Sequence, residues 1–285
     1  MYSLTILLYY ILMEKNDVRY WTYGAKQKPT LVFIHGFTGS HEGFQYILPQ
    51  LEKDFYCIVP DLPGFGESKL GFETWTIDEL AKRVNTFVAA LGLRQPPYLL
   101  SHSMGGLVAA SMLAQAPELF AKKTVFISPV AEKVNYFDSR KLGVLLGSLQ
   151  YYLGAKVPHF GPKLVGSKLL SKIATSFIMT AKHPEMRGKI YQHHYDNLDY
   201  ISSIDYYLQL HRDINKKGTI DYADALKQFN VLIVAGDKDN VTPLAGEKKL
   251  AKKVGAQLEI IPGVGHLAHY ETPEAISRAV QHFLQ

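Results

Sequence analysis

The chain carries a single cysteine, Cys57, in 285 residues, so no intrachain disulfide can form. That thiol sits inside the apolar run Phe55-Tyr56-Cys57-Ile58-Val59 and reads as a buried packing group rather than a reactive one. No apolar run reaches the roughly 20 residues that a membrane-spanning helix needs. The apolar stretch 1–13 also lacks a basic leader and a small-residue cleavage site. It reads instead as part of a strand pair: residues 5–15, a turn at Asn16-Asp17, then residues 18–23. With no disulfide and no clear export signal, a cytoplasmic protein is expected. A large excess of charge of one sign is lacking as well, the formal net charge being +5. The pairs Lys122-Lys123, Lys248-Lys249 and Lys252-Lys253 read as solvated helix faces, and no basic stripe is interleaved with aromatics. Nucleic acid is therefore not an expected partner, whereas a weak attraction to an anionic membrane surface stays open. There is no His-Glu-x-x-His, no paired Cys, no dinucleotide fingerprint and no phosphate loop with its lysine. Neither a metal nor a cofactor is expected, and no internal repeat is visible.

What the chain does have is an alternation. Short apolar runs at 30–34, 55–59, 98–100, 124–127, 231–235 and 258–261 look like strands covered on both faces. Amphipathic stretches lie between them. Thr76-Ile77-Asp78-Glu79 predicts a capping box, followed by Ile77, Leu80, Ala81, Val84, Phe87 and Val88 at helical spacing, with Gly92 as the stop. Residues 104–116 predict a second helix. Thr242-Pro243 and Thr272-Pro273 predict N-caps with proline at N1 for two more, over 243–254 and 273–284. Strands alternating with helices predict an α/β fold, a mostly parallel sheet with helices on both faces. The alternation fails between 131 and 222, which is helical in tendency. Val144, Leu145, Leu149, Tyr152 and Leu153 could form one apolar face there, with others in 164–179 and 190–210. The expected division is a core of 1–130 and 223–285 with a helical cap insertion at 131–222.

Chemistry concentrates where strands end. Tyr98-Leu99-Leu100 runs into Ser101-His102-Ser103-Met104-Gly105-Gly106. A serine on so tight a strand-to-helix turn is held in a strained backbone with its hydroxyl exposed, and small neighbours two residues away relieve the crowding. The helix N-terminus favours a developing oxyanion, which makes the amide of Met104 a candidate donor.

Ser-His-Ser-Met-Gly-Gly resembles the nucleophile elbow of the α/β-hydrolase family, usually Gly-x-Ser-x-Gly, with Ser101 standing where that family has Gly. His35-Gly36-Phe37 is similar to the family's His-Gly turn. That likeness implies that the amide of Phe37 is the second oxyanion donor and that His35 holds the loop. Asp61-Leu62-Pro63-Gly64-Phe65-Gly66 resembles the loop after the next strand, with Asp61 structural. Gly236-Asp237-Lys238-Asp239 looks like the family's Gly-x-x-Asp turn, which implies Asp239 as the orienting acid, with Asp237 as its competitor. Gly263-Val264-Gly265-His266 matches the loop of the family's catalytic histidine, and His269 is its near neighbour. The resemblance spans everything outside 131–222. It implies a serine hydrolase with Ser103, His266 and Asp239 as nucleophile, base and acid, acting on an apolar or small lipid ester without a cofactor. Cleavage of a carbon–carbon bond or lactone, acyl transfer, and slow-turnover ligand reception remain the alternatives.

Overall fold

The computed structural model describes residues 11–71, 75–133, 149–150, 152–154, 156–157, 161–201 and 203–285. Eight strands form one sheet: β1 (Ile11–Lys15), β2 (Val18–Tyr23), β3 (Thr30–Ile34), β4 (Tyr56–Pro60), β5 (Tyr98–His102), β6 (Lys123–Ile127), β7 (Asn230–Gly236) and β8 (Gln257–Ile261). Their order is β1-β2-β4-β3-β5-β6-β7-β8. β1 and β2 pair antiparallel, as do β2 and β4, and every other pairing is parallel. The first hairpin turns at Asn16 (φ 52°) and Asp17 (φ 62°), the left-handed pair that a two-residue hairpin with the strands' own twist demands. Residues 5–10 of the expected first strand lie outside the described residues.

Helices flank the sheet: α1 (Leu48–Leu51), α2 (Ile77–Ala90), α3 (Met104–Gln115), α4 (Gly161–Val165), α5 (Lys168–Ile178), α6 (Pro184–Leu198), α7 (Ile204–Ile214), α8 (Ala223–Leu226), α9 (Leu244–Val254), α10 (Ala268–Glu271) and α11 (Pro273–Leu284). Successive strand side chains point to opposite faces. Val32, Ile34, Ile58, Leu99, Phe126 and Ile233 therefore pack with α2, α3 and α9 in one core. Leu31, Phe33, Cys57, Leu100, Val125 and Leu232 pack with α1 and α11 in the other. Cys57 is fully buried and burial pushes its thiol up, as expected of a packing residue.

The structure departs from expectation in a few places. The run 258–261 is not covered on both faces: β8 pairs only with β7, and Ile260 is 40% exposed at the sheet edge. The Thr76 hydroxyl accepts from the Glu79 amide, but Glu79 turns to Arg83 instead of reaching back. Helix α9 begins at Leu244 without a side-chain cap, because its N-cap position falls on Pro243 and not on Thr242. Lys123 is not merely solvated; its ammonium donates to the carbonyl of Phe283 at the end of α11, where a helix favours a cation. Val144 and Leu145 lie outside the described residues, and Leu149, Tyr152 and Leu153 are exposed. Among the described residues, none between β6 and β7 forms a strand.

Candidate active site

The loops that follow β3, β5, β7 and β8 all leave the carboxyl ends of a parallel sheet, where ligands bind in open α/β folds. Ser103 sits between β5 and α3 with φ 56° and ψ −122°, a conformation L-residues rarely adopt. It is tied there by its own amide to Ile127 O and by its carbonyl, which accepts from the amides of Gly106 and Val130. Gly105 is required by the turn: a Cβ at this position would stand 2.1 Å from the carbonyl oxygen of Ile34. Ser101 is buried, and its hydroxyl turns into the sheet to donate to Val125 O at 3.3 Å.

Three residues predicted to act together come together. Ser103 Oγ lies 2.9 Å from His266 Nε2, and His266 Nδ1 lies 2.8 Å from Asp239 Oδ2. An ionised carboxylate only accepts, so Nδ1 carries the proton and Nε2 accepts from the serine hydroxyl. Asp239 is saturated. Its Oδ1 accepts from the amides of Val241 and Thr242, and its Oδ2 from the Thr242 hydroxyl at 2.7 Å. Burial pushes the Asp239 carboxyl up, but His266 and the Thr242 hydrogen bonds outweigh it and hold the group below the ordinary carboxylate range. Asp237, the competitor, accepts instead from the amide of Gly263 and is exposed.

The two loop residues expected to be structural have structural contacts. His35 donates from Nδ1 to Gly36 O and accepts at Nε2 from the amide of Leu62, which joins the loops after β3 and β4. Asp61 accepts from the amides of His41 and Glu67. The turn at Gly36 rests against the serine, since a Cβ there would lie 3.2 Å from Ser103 Cβ. Phe37 and Met104, the expected oxyanion donors, line the same cavity as Ser103.

Sequence reasoning missed Thr242, whose hydroxyl bonds Asp239, and His102. His102 donates from Nε2 to His266 O at 3.0 Å, which pins the histidine's backbone, and its ring lies against that of His269, tilted by 50° with centroids 4.0 Å apart. A small hydroxylated residue three positions after the acid is the signal that marks Thr242; nothing local marks His102.

The cavity beside Ser103 holds about 230 Å³. Among the described residues no Lys, Arg, Asp or Glu lines it. Five of its histidines are kept neutral by burial: His102 and His194 are pushed down to about 3, His35 and His211 to about 4, and His269 well below its usual value. Ser40, Asn197 and His269 each bring to this lining a buried polar atom without a hydrogen-bond partner among the described residues. Helices α5, α6 and α7 supply Ile178, His194, Asn197, His211 and Ile214 to the lining, so these helices stand over the strand ends.

A mostly parallel sheet whose strand ends carry a strained serine turn, a buried acid and a histidine, in that chain order, has the layout of an α/β-hydrolase. The chain belongs to the alpha/beta hydrolase fold family, whose model matches residues 29–273, and it is an enzyme of the hydrolase kind. The chain is 27% identical over 274 residues to an uncharacterized hydrolase, YugF, of Bacillus subtilis (strain 168), which covers 94% of each chain. It is 24% identical over 272 residues to the human protein named monoacylglycerol lipase ABHD6, covering 90% of this chain and 75% of that one. The solved enol-lactonase of Burkholderia xenovorans LB400 superposes with a TM-score of 0.77 at 17% identity, over 94% of this chain and 96% of that one, a likeness of fold.

Proposed function

We propose that this protein is a serine hydrolase that cleaves a carboxylic ester through an acyl-enzyme. The observation that carries the reading is the continuous hydrogen-bonded series from Ser103 through His266 to Asp239, with Ser103 in a strained turn. Ser103 Oγ attacks the carbonyl carbon while its proton passes to His266 Nε2. Asp239 steadies the imidazolium. The amides of Phe37 and Met104 bind the oxyanion, each worth roughly 3–4 kcal/mol in such sites. His266 then protonates the departing alkoxide, and it deprotonates the water that releases the acid. No cofactor takes part.

Residues 131–222 act in this reading as a cap on a core of 1–130 and 223–285. The substrate is an uncharged ester, because an ionised group would meet no Lys, Arg, Asp or Glu among the described lining residues. A hydroxylated alcohol portion suits a lining that mixes apolar residues with the polar Ser40, Asn197 and His269. Together with an apolar acyl chain this describes a small lipid ester, in keeping with a relative named as a monoacylglycerol lipase.

The test is a time course with p-nitrophenyl esters of several chain lengths, alongside a monoacylglycerol and the methyl ester of the same acid. Sustained turnover by wild type should fall by at least roughly 10⁴-fold in Ser103→Ala, and the monoacylglycerol should be preferred. Release that stops after one equivalent would sink the hydrolase reading in favour of acyl transfer or ligand reception.

A further inference from the structure

The chain's positive charge is unevenly distributed. Residues 139–184 contain seven Lys and Arg and no Asp or Glu, against a net charge of +5 for the whole chain, so the remainder is net negative. Helix α5 lies in this block, and its sequence is KLLSKIATSFI. Leu169, Ile173 and Phe177 are four residues apart, form one row on its surface and are 67%, 38% and 38% exposed. Lys168, Lys172 and Ser176 are also exposed and form the adjacent row. The two lysines lie over the rings of Tyr195 and Tyr191 of α6, which sets them on that flank of the apolar row. An exposed apolar row beside a basic one, with no acidic residue near in sequence, is the pattern of a helix that lies in the interface of an anionic bilayer.

The position of α5 gives this surface a purpose. Its last turn reaches the site directly: Phe177 O accepts from the Asn240 side chain, and Ile178 O accepts from the His266 amide at 3.1 Å. A bilayer seated on the Leu169–Phe177 row would therefore lie one residue from Ile178, which lines the cavity.

We propose that α5 is a docking surface for an anionic lipid bilayer, which presents lipid esters to the Ser103 cavity. The purpose rests on the ester-hydrolase reading, whereas the docking is measured without turnover. Each lysine at such a surface contributes about fivefold to partitioning.

The experiment is co-sedimentation of the full chain with vesicles of phosphatidylcholine alone and of equimolar phosphatidylcholine and phosphatidylserine. Wild type should pellet with the anionic vesicles, far less with the neutral ones, and leave at high salt. Lys168→Gln with Lys172→Gln should lower partitioning roughly 25-fold, and Leu169→Ser with Ile173→Ser at least about tenfold. Both double variants should hydrolyse a short water-soluble ester as wild type does, which shows that they are folded. Wild type left in the supernatant, equal binding to both vesicles, or variants that bind undiminished would overturn the proposal. So would vesicle-free self-association abolished by Leu169→Ser with Ile173→Ser, which would give the surface to a second copy of the chain. An inactive wild type that still binds anionic vesicles would overturn the hydrolase reading and leave the docking standing.

Discussion

Asp239 spends four hydrogen bonds on staying ionised and still, and two of them come from Thr242. Replacing the acid by an amide keeps the shape but turns a donor toward Nδ1, so the imidazole takes the wrong tautomer. Asp239→Asn should cost about 10⁴ in kcat with little change in KM. Thr242→Val removes only the hydroxyl. A lost hydrogen bond of about 1–1.5 kcal/mol corresponds to roughly a tenfold fall in kcat on the same ester. The variant should also show a second, independent sign. In the native state the Asp239 pKa is depressed, so its contribution to stability is present above the unfolded carboxylate value and disappears as pH falls through the folded one. Without the Thr242 hydroxyl the folded pKa rises toward the unfolded one. That contribution shrinks, so wild type should melt above the variant at neutral pH by a margin that narrows as pH falls through the folded value. A Thr242→Val protein with wild-type kcat would remove Thr242 from the positioning of the acid.

The turn from β5 into α3 works because two elements touch through a glycine. The helix starts so close to β3 that the missing Cβ of Gly105 leaves room for the carbonyl of Ile34, with that of His35 only slightly farther. Backbone cannot give way as a flexible side chain can. Gly105→Ala should therefore destabilise the protein by about 3 kcal/mol or more, measurable as a lower midpoint in urea, or should not fold. Gly36, whose absent Cβ faces Ser103 and His102 at 3.2 Å, is a looser contact, and Ala there should be felt in kcat before it is felt in stability. The ties that His35 makes to Gly36 and Leu62 hold the loops after β3 and β4 as one unit, which in the proposed mechanism would fix the Phe37 amide as an oxyanion donor.

For the molecule as a whole, an unexpected cost lies in α9. Glu247 is fully buried, and neither carboxyl oxygen has a hydrogen-bond partner among the described residues. Burial, with the charge of Asp239 behind it, pushes its carboxyl up to about 9. The native state therefore holds a proton that the unfolded chain releases above its ordinary carboxylate pKa. Stability from this group falls as pH rises from about 4.3 toward about 9. Glu247→Gln mimics the neutral acid and cannot ionise in either state. Its melting temperature should exceed that of wild type by a margin that grows between about pH 5 and about pH 9. A margin that stays flat across that range would show that Glu247 is ionised in the native protein.

Several features were determined by the sequence alone because they depend on neighbours a few residues apart. The apolar runs buried on both faces, the left-handed turn at Asn16-Asp17, the cap at Thr76, and the small residues around Ser103 all follow from local sterics and periodicity. The loops holding Asp239 and His266 were legible through the resemblance of Gly236-Asp237-Lys238-Asp239 and Gly263-Val264-Gly265-His266 to the family's turns. The tertiary structure decided what depends on distant partners. Ser103 and His266 meet across 163 positions of chain, and the place of β4 between β2 and β3 follows from no single segment. The exposure of Ile260 was set by β8 ending the sheet, which periodicity cannot foretell. Thr242 lies outside the helix it was expected to cap, because the turn that binds it to Asp239 places Pro243 at the N-cap and starts the helix at Leu244. Local pattern fixes which residues can form an element or a turn, but the free energy of burying polar groups is settled only when remote parts of the chain become partners.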